Sequence, residues 1–118
     1  MRTDRELLEL AAKAEGWKKA AYQDMRGWGE IRYGYSEAMY IGDDETIGYW
    51  NPLTDDGDCA RMEAKLAIDV KWYRDSVVAY RKEIACDGVD FRDHGDDRNA
   101  ARRIASLRVA AEIGKQMP

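Results

Sequence analysis

Apolar positions near the start of the chain fall at Leu7, Leu8, Leu10, Ala11 and Ala14, the stripe of an amphipathic helix. Thr3 and Glu6, three residues apart, form a capping box ahead of it, and Gly16 suits its C-terminal stop. Between Trp17 and Trp50 the period changes. Ile31, Tyr33 and Tyr35 alternate with polar residues or glycine, then Met39 with Ile41, then Ile47 with Tyr49, so an antiparallel meander of short strands is expected, with a turn at Gly42-Asp43-Asp44. Asn51-Pro52-Leu53-Thr54 ends the sheet, because proline donates no ladder hydrogen bond. Thr54 is the expected N-cap of a second helix, with Asp55 and Asp56 facing its positive end and Cys59, Met62 and Leu66 turned inward. A strand from near Asp69, a turn at Arg74-Asp75 and a return over Ser76 to Arg81 form a hairpin. Asp87-Gly88 reads as a further hairpin turn before a last edge strand around Val89 and Phe91. His94-Gly95-Asp96-Asp97 then caps a third helix, from about Arg98 to Gln116, with Ala100, Ile104, Leu107, Ala111 and Ile113 inward.

This pattern predicts an α+β fold, three helices packed around a short, mainly antiparallel sheet. With 118 residues and neither linker nor repeat, residues 1–118 form a single domain. No apolar run approaches the ~20 residues that span a bilayer, and the charged N-terminus lacks the apolar stretch of a signal peptide. A cytoplasmic protein is therefore expected. Cys59 and Cys86 have no metal-ligand spacing and are expected as free thiols.

Charge changes the picture next. The formal net charge is −4, which argues against duplex nucleic acid as a partner. Thr54-Asp55-Asp56-Gly57-Asp58 superficially resembles a calcium loop, but a helix follows at once and no bidentate Glu closes it at the right distance. No metal or cofactor is expected. His94, the single histidine, stands beside Asp93, Asp96 and Asp97 but near no nucleophile motif, so a turn or anion-binding role is expected over catalysis. Arg98 and Arg102 share a face of the last helix, whereas Arg103 and Arg108 lie off it. Four Trp and seven Tyr against one Phe is a mix suited to interfaces and to pockets that stack planar ligands. Trp50 and Trp72 are candidates for such a wall after their first role as core.

Three stretches resemble the phage ABA sandwich domain family: Arg2 to Ala14; Trp50-Asn51-Pro52-Leu53-Thr54-Asp55-Asp56-Gly57-Asp58 with the helix through Leu66; and His94-Gly95-Asp96-Asp97 with the helix ending Gly114-Lys115-Gln116-Met117-Pro118. The resemblance implies an α-β-α layered sandwich and a phage origin, and brings no established activity with it. Small acidic phage proteins often disarm host defences, so three functions follow in order. The first is a non-enzymatic protein of the host cytoplasm that sequesters a nucleotide-derived immune signal at Arg98, Arg102, His94, Trp50, Trp72 and Asn51, possible as a homo-oligomer. The second is a protein-binding inhibitor of a defence complex, an acidic mimic. The third is a small phosphodiesterase using His94.

Overall fold

The computed structural model describes residues 2–43 and 47–118. Helix α1 (Asp4–Glu15) starts at the expected box: the Thr3 hydroxyl accepts the Glu6 N–H at 3.2 Å and the Glu6 carboxylate accepts the Thr3 N–H. Gly16 closes it at φ 79°, the left-handed region that glycine enters without strain.

Strands β1 (Lys19–Asp24), β2 (Glu37–Gly42) and β3 (Ile47–Trp50) form one antiparallel sheet in the order β1-β2-β3. Its second and third strands are those expected around Met39-Ile41 and Ile47-Tyr49. The expected turn after Gly42 runs into residues outside the described set. Ile31 and Tyr33 do not belong to a strand. They lie on a short helix, α2 (Trp28–Tyr33), between Gly27 and Gly34, both at positive φ. The alternation that pointed to a strand there has no core to face, because no residue of α2 is buried.

After β3 the chain enters α3 (Asp56–Leu66). Its N-cap is Asp55, one residue beyond the expected Thr54: the Asp55 carboxylate accepts the Gly57 N–H at 2.9 Å. Thr54 is displaced from the role because Asn51 has already built the turn. The Asn51 backbone carbonyl accepts the Thr54 and Asp55 N–H groups, and its side-chain oxygen accepts those of Leu53 and Thr54.

Strands β4 (Asp69–Trp72) and β5 (Ser76–Arg81) form the expected hairpin, and β6 (Ile84–Ala85) and β7 (Val89–Asp90) both pair with β5. The turn into β6 is at Lys82-Glu83, with Lys82 at φ 54°, and not at Asp87-Gly88. Register explains what Asp87-Gly88 does instead. Val77 faces Val89 while Tyr80 faces Ala85, so Cys86-Asp87-Gly88 spans on one strand what Val78-Ala79 spans on the other. That extra residue is a β-bulge. Phe91 opens a 3-10 turn (Phe91–His94) that leads to α4 (Arg98–Gln116), capped by Asp97.

The α+β class and the antiparallel pairing are as expected, with the strands divided between two sheets and α2 added as a fourth helix. Helix α4 is central. Its buried residues include Ile104 through Leu107 and Val109 through Ala111, more than one face, so it is covered on several sides. Against it pack α1, α3 and the β4–β7 sheet, while α1 also touches β1 and β2. The α1–α4 approach is backbone-close: a Cβ at Gly114 would collide with the Leu10 carbonyl. Leu8, Ala11, Met62, Val77 and Leu107, all fully buried, form the shared core with Trp50.

Candidate functional surface

The six residues singled out as a ligand site do not form one cluster. Trp50 is core, 4% exposed. Asn51 is fully buried and fully used: its N–H donates to Asp58 at 3.0 Å and its side-chain amide to the Glu37 carbonyl at 2.6 Å, tying α3's entry to β2. Arg102 is committed to α3. Its guanidinium grips both carboxylate oxygens of buried Glu63, with Nε 3.1 Å from Oε2, and Ser106 donates to that same oxygen at 2.5 Å. The neighbouring Arg103 also faces α3, donating to the Leu53 carbonyl and to Asp56. An anion at Arg102 would have to displace a buried carboxylate, so this candidate ligand residue is not an open guanidinium. Glu63 was the missed signal: a carboxylate beside Met62 on a narrow apolar face calls for a buried partner.

Two of the other three share one partner, Phe91. Arg98 lies over the Phe91 ring at 4.8 Å, and Trp72, 45% exposed, tilts against the same ring at 6.1 Å. His94 is half-buried on the same 3-10 turn as Phe91. The result is an open cation–aromatic platform at the start of α4, which Asp97 caps. Arg108 lies elsewhere, beside a groove of about 730 Å³ between α1, α4 and β6. That groove carries the carboxylates of Asp4, Glu83, Asp87 and Glu112 against the guanidiniums of Arg2 and Arg108, and Arg2 already binds Glu112. Its acid excess suits a polyphosphate poorly.

The two thiols are poorly disposed to act as nucleophiles. Burial pushes the Cys59 thiol up to about 12, with the Glu63 carboxylate adding to the shift, so thiolate is scarce at neutral pH. Burial also raises Cys86. Both cysteines are free. Ser106 bonds a carboxylate but is fully buried. Among the described residues no three His, Cys, Asp or Glu side chains gather as a metal site, and no helix is long and apolar enough to cross a membrane.

The most exposed apolar side chains lie on α2, where the alternation of Ile31 and Tyr33 predicts a strand. Helix α2 rests on buried Met25 at Gly29, where an added Cβ would stand 3.1 Å from the Met25 methyl. Tyr33 packs edge-on against Tyr49 at 4.8 Å, and Tyr49 against Tyr40 at 5.3 Å. Trp28 and Ile31 are 72% and 85% exposed, and Ile47 at the end of β3 is 60% exposed. No family model, curated protein or solved structure matches the chain.

Proposed function

We propose that this is a phage-encoded, non-enzymatic accessory protein of the phage ABA sandwich domain family that counters host defence in the host cytoplasm by binding a host protein. The binding face is α2 with the outer side of β2 and β3. One observation carries this reading: a helix without a buried residue holds Trp28 and Ile31 out in water. Six residues are too few to make a helix stable alone, and large side chains of this kind gain about 1.5–3 kcal/mol each on full burial. Trp and Tyr are also the residues that dominate protein interfaces. The face is aromatic, so the reading departs from acidic mimicry, for which a net charge of −4 provides only a weak field.

The test is plaque formation by a defence-sensitive phage on defence-carrying cells that express the protein. Wild type should restore plaques. Trp28→Ser/Ile31→Ser should not, at an unchanged melting temperature, whereas Arg98→Ala should still restore them. Full activity of the Trp28/Ile31 variant would sink the proposal.

A second reading, sequestration of a nucleotide-derived signal, is favoured by the convergence of Trp72, Phe91 and Arg98. It predicts a nucleotide released on heating protein purified from defence-active cells, and its loss in Arg98→Ala. Absence of any nucleotide from wild type would remove it.

A further inference from the structure

We propose that the groove between α1, α4 and β6 is a binding site for a linear aliphatic polyamine, a chain of methylenes with ammonium groups at its ends. The groove encloses about 730 Å³, within the size range of small-molecule sites, and shares no residue with the α2 face. Its floor is apolar: Leu7, Ile104 and Val109 are buried there and Ile84 is half-buried. Its rim is acidic, and the acids come from three sides. Asp4 is on α1, Glu112 is on α4, and Glu83 and Asp87 flank β6.

The ion pairs show which of these carboxylates are on offer. Glu112 is taken by Arg2. Asp4, Glu83 and Asp87 form no side-chain hydrogen bond or ion pair among the described residues. Arg108 is the one guanidinium left in the groove to oppose them, so two negative charges stay uncompensated. Anionic ligands are repelled, and a ligand with at least two positive charges is matched. A compact dication such as a metal ion finds no cage, since no three carboxylates gather at one point among the described residues. Glu83 and Asp87 are four residues apart, a separation of at most ~13–14 Å along the chain. Separated charges over an apolar floor are the pattern of an aliphatic polyamine. Its amines are protonated at neutral pH, as lysine's is, and its methylenes can lie on Leu7, Ile84, Ile104 and Val109.

Calorimetry of the full chain with α,ω-diaminoalkanes in low-salt buffer tests this, because the series fixes the charge while the methylene chain grows. One-to-one binding is expected. The eight-carbon diamine should bind at least about tenfold more tightly than the four-carbon one, since each fully buried methylene is worth up to about fourfold. Glu83→Gln/Asp87→Asn should weaken the eight-carbon diamine by about tenfold at an unchanged melting temperature, as expected for loss of charge-assisted contacts. Asp69→Asn/Asp93→Asn, which removes two exposed acids outside the groove, should bind as wild type does. Affinity that is flat with chain length, or that falls equally in both double variants, would mean diffuse attraction to an acidic protein and overturns the proposal. So does unchanged affinity in Glu83→Gln/Asp87→Asn, or no binding of any diamine at millimolar concentration. The measurement needs no host partner and does not involve α2, so it stands or falls apart from the proposed function.

Discussion

Glu63 occupies the apolar side of α3 between Met62 and Leu66, where a carboxylate is stable only if donors reach both of its oxygens. Arg102 and Ser106 supply them, and that hydrogen bond to Glu63 is also the main cause of the raised Arg102 pKa. Removing one member of such a pair leaves a buried, unpaired charge. Arg102→Ala is therefore expected to cost about 3–5 kcal/mol in denaturant unfolding. Replacing both partners with apolar residues of similar size, Arg102→Met/Glu63→Met, should recover most of the loss. If Arg102→Ala unfolded within 0.5 kcal/mol of wild type, the guanidinium would not be committed to α3 and would again be a candidate anion site. A charge in a helical stripe announces that it needs a partner, but not which of four arginines on another helix will be that partner. Pairing is decided by the crossing of α3 and α4, which one-dimensional spacing does not contain.

The same limit governs the elements. Met39-Ile41 and the hairpin around Arg74-Asp75 were legible because one side of each faces the core, and alternation is the trace of that burial. β1 left no such trace, since an edge strand exposed almost throughout has no apolar side. α2 left a false one. Capping chemistry was legible to within a residue, which makes it testable: Asp55→Ala should lower stability by about 1 kcal/mol, and Thr54→Ala by much less, in thermal or urea melts. A reversed order would restore Thr54 as the cap. Gly114 could not be read as special from its position near a helix end. Its role comes from α1, whose Leu10 carbonyl occupies the space a side chain would need. Gly114→Ala improves helix propensity by about 1 kcal/mol yet should destabilise by about 1–3 kcal/mol net, because backbone cannot swing aside as a side chain does. A stabilised Gly114→Ala protein would mean the two helices can separate freely. Of the candidate site, Arg98 and Trp72 both meet Phe91, which no motif links in sequence.

At the scale of the whole molecule, one device is used twice. Asp24-Met25-Arg26 and Asp90-Phe91-Arg92 each bury the middle side chain, while the aspartate accepts both the backbone N–H and the guanidinium of the arginine two residues on. The first clasp closes β1 over Met25, beneath α2; the second closes β7 over Phe91, beneath the Arg98 platform. Both candidate surfaces thus hang from the same local chemistry. In each clasp the arginine's hydrogen bonds hold the aspartate at about 2, below the ordinary carboxylate value of 3.8. The sign follows from linkage. A carboxyl with a lower pKa folded than unfolded adds stability above its unfolded pKa, and that stability is lost as pH falls through the folded value. Thermal melts should therefore show a declining melting temperature between about pH 4 and pH 2, steeper than in Asp24→Asn/Asp90→Asn, and the advantage of wild type over that variant at pH 7 should be mostly lost by pH 2. Acidification also strips the chain of its 23 carboxylate charges while its 19 Lys and Arg remain, so global repulsion lowers both curves together. The difference between wild type and the double variant cancels that common term and isolates the clasps. Parallel curves from pH 7 to pH 2 would show that the two aspartates do not hold their arginines in solution, and would leave Met25 and Phe91 buried by packing alone.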